Sequence, residues 1–130
     1  MVKKAEVQRN ESLTGTRLLV VEDEPMLLLE LETILSDAGA DTVLLSRTTG
    51  DALARARDEQ ISAAILDIHL GSELVTPVAR ALAKRGVPFL FYTGQPRSDP
   101  VLVEWREHKV VSKPARPETI VKAVAGLIAA

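Results

Sequence analysis

The stretch "SAAILDIHLGS", residues 62–72, decides how the chain is read. From Ala63 to Leu66 it is small and apolar without polar alternation, as a strand covered on both faces requires. It then stops on an acid, Asp67, with Gly71 and Ser72 close behind. Acids at strand ends are common in turns and caps, so Asp67 alone decides nothing. Its meaning depends on what ends the other strands.

Outward from this stretch, short apolar runs alternate with helical patterns. Strands are expected at "RLLVV" (17–21), "ADTVLLS" (40–46), "SAAILDI" (62–68), "VPFLFYT" (87–93) and "KVVS" (109–112). The spacing of Leu27, Leu28, Leu31, Ile34, Leu35 and Ala38 predicts a helix over 25–39, with Pro25 suiting its first turn and Gly39 its stop. A weaker helix over 48–59 turns Ala52, Leu53 and Ala56 inward. A third, over 73–86, ends at Gly86, and Pro77 inside it marks a late start or a kink. Asp99 can cap a short helix led by Pro100. The last helix, 116–130, turns Ile120, Ala123, Val124, Leu127 and Ile128 inward. Five strands alternating with five helices predict an α/β domain around a parallel sheet. Periodicity leaves the strand order open.

Composition removes several function classes. A length of 130 residues suits one domain. The 16 basic and 18 acidic residues leave a net charge of −2, and the basic ones are scattered, so no nucleic-acid stripe is expected. Without cysteine there is no disulfide or thiolate metal site. His69 and His108 lie too far apart in sequence to suggest zinc. Residues 1–15 are polar and read as a loose extension before a domain over 16–130. No apolar run approaches the roughly 20 residues of a membrane span, so a cytoplasmic protein without membrane contact is expected.

In an open parallel sheet, ligands bind beyond the carboxyl ends of the strands. The first strand ends in Glu22-Asp23-Glu24, the third in Asp67, the fourth in Thr93-Gly94 and the fifth in Ser112-Lys113-Pro114. The second ends in Ser46-Arg47, which adds nothing comparable. Taken singly, each group has an ordinary structural role: helix-dipole acids, a turn aspartate, a strand threonine, a solvated lysine. Their meeting on one edge favours a site. Two carboxylates about 5 Å apart repel by roughly 3 kcal/mol at an effective dielectric near 20, so a cation is called for. Oxygen-only ligands favour a hard ion, and Mg²⁺ suits a few carboxylates plus water. With Lys113 as a second cation and Thr93 as a hydroxyl donor, these are the parts of phosphoryl transfer. Asp67 is the candidate nucleophile, carrying the phosphoryl as an acyl phosphate.

The motifs "VVEDEP", "ILDIHLG", "FYTG" and "SKP", in that order over about residues 16–130, resemble the receiver domain of two-component response regulators. The resemblance implies a three-layer, doubly wound five-stranded sheet of flavodoxin-like order 2-1-3-4-5, an order the chemotaxis receiver exemplifies. It implies that Asp67 accepts phosphoryl from a sensor histidine kinase or phosphotransfer protein. Asp23, Asp67 and the backbone carbonyl of His69 would hold Mg²⁺, with Glu22 assisting directly or through water, and Thr93 and Lys113 would hold the phosphoryl oxygens. It also implies a cis bond between Lys113 and Pro114. The family's switch pairs Thr93 with an aromatic residue three positions before the lysine, where this chain has Val110. "PFLFYTGQP" instead resembles a variant, often single-domain subfamily with a Phe-Ala-Thr-Gly stretch, Tyr92 replacing the alanine. Segment 94–108 is then the candidate moving element.

Trp105 and Val103 are expected to pack on the sheet, the His69 ring to sit exposed beside the pocket, and His108 to lie on the surface. The favoured reading is a single-domain signalling phosphoacceptor, not an enzyme beyond its own phosphorylation and dephosphorylation. It would act through a downstream protein partner or as a phosphate sink, and a weak homodimer through the last helix is compatible. The alternative is an interaction module of the same fold working without phosphorylation. A flavin binder or small enzyme fits less well, because Glu22-Asp23-Glu24 would repel a phosphate where nucleotide folds place glycine.

Overall fold

The computed structural model describes residues 12–58 and 60–129. In chain order the elements are β1 (Arg17–Val21), α1 (Pro25–Asp37), β2 (Thr42–Ser46), α2 (Thr49–Asp58), β3 (Ala63–Leu66), α3 (Thr76–Lys84), β4 (Phe89–Thr93), α4 (Pro100–Glu104), β5 (Lys109–Ser112) and α5 (Pro117–Ala129). The strands form one parallel sheet in the order β2-β1-β3-β4-β5. This is the doubly wound α/β fold expected, with the chain reversing its direction of travel between β1 and β3.

Side-chain alternation divides the core in two. Leu19, Val21, Ala64, Leu66, Phe89 and Phe91 point to one face and pack with Ala52, Ala56, Val78, Ala79, Leu82, Val101 and Leu102 of α2, α3 and α4. Leu18, Val20, Ala63, Ile65, Leu90 and Tyr92 point to the other, against Leu28, Leu31 and Leu35 of α1 and Ile120, Val121 and Val124 of α5. Small residues at 52 and 56 let α2 lie close to the sheet, and both are fully buried.

Three local readings are corrected. The helix expected over 73–86 begins only at Thr76, the late start that Pro77 marked, with Pro77 in its first turn. A proline ring there clashes with the carbonyl four residues back, so Glu73 cannot join the helix. Glu73–Leu74 instead pairs antiparallel with His69–Leu70 in a short ribbon. In α5, Val121 replaces Ile128 on the buried face, and Ile128 is exposed. Leu13, expected to lie in the loose extension over 1–15, is instead fully buried, its N–H donating to the Ala38 carbonyl at 3.0 Å. The rest of that stretch, 1–11, lies outside the described residues. Leu13→Ala should lower the unfolding free energy by about 2–5 kcal/mol in urea denaturation, the cost of a buried leucine cavity.

Candidate functional site

Strand register assembles the site. Val21 is level with Leu66, and the Asp67 N–H donates to the Val21 carbonyl at 2.9 Å, so the next residues, Glu22 and Asp67, emerge side by side. On the other flank Thr93 pairs with Ser112, and the Lys113 N–H donates to the Thr93 carbonyl at 2.9 Å. Parallel strands thus deliver acids from β1 and β3 and a lysine from beyond β5 to one edge.

The groups meet there. Lys113 Nζ donates to Glu22 Oε1 at 2.9 Å and to Asp67 Oδ2 at 3.0 Å. Glu22, Asp23 and Asp67 each offer an oxygen, all within 4.8 Å of one another. The backbone holds each acid in place. The Glu24 N–H donates to Glu22 Oε2, the Ile68 N–H to Asp67 Oδ1 and the Gly71 N–H to Asp23 Oδ2. Gly71 adopts φ +62°, which turns the ribbon and suits glycine. Thr93 is buried at the end of β4, where its hydroxyl accepts the Gln95 N–H at 3.1 Å. The Lys113–Pro114 bond is cis.

Burial sets the electrostatics. The Glu22 side chain is only 3% exposed. Burial pushes its carboxyl above the ordinary carboxylate range; the Asp67 charge adds to this, and hydrogen bonds from Lys113 and the Glu24 N–H offset it only in part. Burial alone would lower the Lys113 ammonium. Its hydrogen bonds to Glu22 and Asp67, with their charges, outweigh burial and raise it. Three carboxylates against one ammonium leave two negative charges, which one divalent cation would neutralise. Clustered hard oxygens fit such an ion.

The second strand contributes more than its sequence suggested. Arg47 Nη2 donates to the Asp23 carbonyl at 3.3 Å, bringing a guanidinium to the acidic rim. Ser46 accepts the Glu22 N–H through its carbonyl and donates its hydroxyl to Asp51 Oδ2 at 2.6 Å. The Arg47–Asp23 and Glu22–Ser46 contacts join residues more than twenty positions apart and leave no local signal.

Around the rim, the exposed His69 ring places Nε2 3.5 Å from Asp99 Oδ2. Asp99 also caps α4, accepting the Val101 N–H at 2.9 Å. Val110 is half-buried against the core that holds Phe91 and Trp105. Trp105 packs edge-on against Phe89 at 5.6 Å between ring centroids, whereas Val103, expected inward, is exposed. His108 is not the surface residue expected: its ring stacks on Phe89 at 4.3 Å, half-buried. Among the described residues no helix is long and apolar enough to cross a membrane.

Lys113→Met would leave Glu22 and Asp67 facing each other unpaired. It should cost about 2–4 kcal/mol at pH 7, less than a fully buried pair because Lys113 is partly exposed. Glu22 titrates above its ordinary value when folded, so its ionisation opposes folding as pH rises. The deficit of the variant should therefore shrink as pH falls toward that value, as read by denaturation at several pH values.

No family model matches the chain. It is 32% identical over 85 residues to the phyllosphere-induced regulator PhyR of Methylorubrum extorquens, covering 63% of this chain and 32% of PhyR. The chain thus spans about a third of that curated relative's length. The solution structure of SdrG from Sphingomonas melonis Fr1 matches with TM-score 0.75 and 41% identity, over 90% of this chain and 98% of SdrG. The BeF3-activated conformation of SdrG, from Pseudomonas melonis Fr1, matches with TM-score 0.73 and 42% identity, over 88% of this chain and 98% of that one. The fold is also that of a CheY-like response regulator receiver domain protein from Methanospirillum hungatei JF-1, with TM-score 0.78 and 23% identity over 88% of this chain and 94% of that one.

Proposed function

Since the chain belongs to the response regulator receiver family, we propose that it is a cytoplasmic, single-domain phosphoacceptor, with Asp67 taking the phosphoryl group from a phosphohistidine. The observation that carries this reading is the Lys113 ammonium bonded at once to Glu22 and Asp67, beside three acidic oxygens within 4.8 Å. An Asp67 carboxylate oxygen attacks phosphorus, the phosphorus–nitrogen bond breaks, and its electron pair returns to the imidazole. The product is an acyl phosphate on Asp67.

The chain's own groups receive the new charge. Lys113 has three N–H donors, two of them on carboxylates, so a third is open to a phosphoryl oxygen. Thr93 accepts from Gln95, which leaves its own hydroxyl proton to donate. Glu22, Asp23 and Asp67, with the His69 carbonyl, would hold Mg²⁺, which when bound offsets the charge on the acids and on the phosphoryl oxygens. Upstream, the partner is a sensor histidine kinase or phosphotransfer protein. Downstream, the phosphorylated form binds a protein partner or serves as a phosphate sink.

Intact-mass spectrometry with acetyl phosphate and Mg²⁺ should find one phosphoryl group on the wild type and none on Asp67→Asn. A wild type that gains none would instead be a receiver-fold interaction module. In a second test, saturating Mg²⁺ should raise the thermal midpoint, by about 2.7 kcal/mol of stabilisation at a hundredfold excess over Kd. Asp23→Asn should lose most of that rise.

A further inference from the structure

Tyr92 has no part in the phosphoryl chemistry above, yet two observations tie it to Lys113. On β4, Phe91 and Thr93 point to the α2–α4 side, whereas Tyr92 points to the side of α1 and α5 and is 3% exposed. Its phenol oxygen accepts the Ala115 N–H at 3.1 Å. The Lys113 ammonium stands 5.6 Å from the centre of its ring, within the range over which a ring face attracts a cation.

Tyr92 and Thr93 therefore grip the two ends of one short segment. The Thr93 carbonyl takes the Lys113 N–H, and the Tyr92 hydroxyl takes the Ala115 N–H two residues on. Between these anchors the lysine must send a flexible four-carbon stem to a point shared by Glu22 and Asp67. An aromatic face next to the ammonium restricts where that stem can go, and burial strengthens the attraction.

We infer that Tyr92 is the positioning residue for Lys113: its hydroxyl fixes the loop that carries the lysine, and its ring holds the ammonium toward Asp67. The kinetic part of this inference rests on the phosphoacceptor reading; the structural part does not. A lysine displaced by about an ångström is a misplacement that can lower the rate of group transfer by one to two orders of magnitude.

Two variants of the full chain separate the hydroxyl from the ring: Tyr92→Phe keeps the ring, and Tyr92→Leu keeps neither. In metal-free protein, NMR would follow solvent exchange of the Ala115 amide and the Lys113 ammonium protons. Tyr92→Phe should accelerate exchange at Ala115 and leave the ammonium signal in place, whereas Tyr92→Leu should lose both. With acetyl phosphate and Mg²⁺, the rate at saturating donor should fall in Tyr92→Leu by about tenfold or more and less in Tyr92→Phe. The half-saturating donor concentration should stay the same. A residue that only fills the core would lower stability and speed exchange throughout the sheet alike, with no selective change at Ala115 or Lys113 and no fall in the transfer rate, which would overturn the inference. If the wild type takes no phosphoryl group, the phosphoacceptor reading fails and the exchange measurements still decide whether Tyr92 holds Lys113. If Tyr92→Leu does not fold, unchanged Ala115 exchange in Tyr92→Phe overturns the inference by itself.

Discussion

The Lys113 ammonium, held between Glu22 and Asp67, is the interaction on which the site depends. At about 3 Å each of these ion pairs is attractive by roughly 5 kcal/mol at an effective dielectric near 20, before the cost of burial is set against it. That cost is visible in Glu22, whose carboxyl is pushed above the ordinary range although the lysine is beside it. The arrangement is therefore short of positive charge. Its three acidic oxygens, within 4.8 Å of one another, could hold a metal ion.

The sheet makes this charge density possible. Glu22 and Asp67 leave adjacent parallel strands at the same level, and Lys113 follows the strand at the far edge. The backbone ladder fixes the separation of Glu22 and Asp67, and the lysine reaches them from the loop that follows its strand. Short loop contacts complete the placement, with N–H groups of Glu24, Ile68 and Gly71 each spent on one acid. Donors from the backbone lose little entropy on binding, so the carboxylates are held before any ligand arrives.

The region beyond β4 departs from the simplest receiver pattern. With Val110 at the expected aromatic position, aromatic mass is gathered instead by Phe89, Phe91, Trp105 and His108. That cluster joins β4 to the segment after α4. Asp99 ties the start of the same helix to His69, two residues after Asp67. Both ends of α4 are thus attached to elements that border the site.

The sequence by itself determined the alternation of strands and helices, the parallel sheet and the edge carrying Glu22, Asp23, Asp67, Thr93 and Lys113. These follow from local apolar runs and from the polar residue that stops each one, which is information carried within a few positions. Strand order came from family resemblance, since periodicity is blind to which strands are neighbours. Only the tertiary structure decided that Arg47 reaches the Asp23 carbonyl, that Tyr92 bonds the Ala115 N–H, that Leu13 is core and that His108 stacks on Phe89. The Arg47, Tyr92 and Leu13 contacts join residues more than twenty positions apart, and a residue's own neighbours in the chain cannot specify what folding sets against it. His69 and Val110 show the same limit from the other side: their positions were legible, but their partners were set by packing.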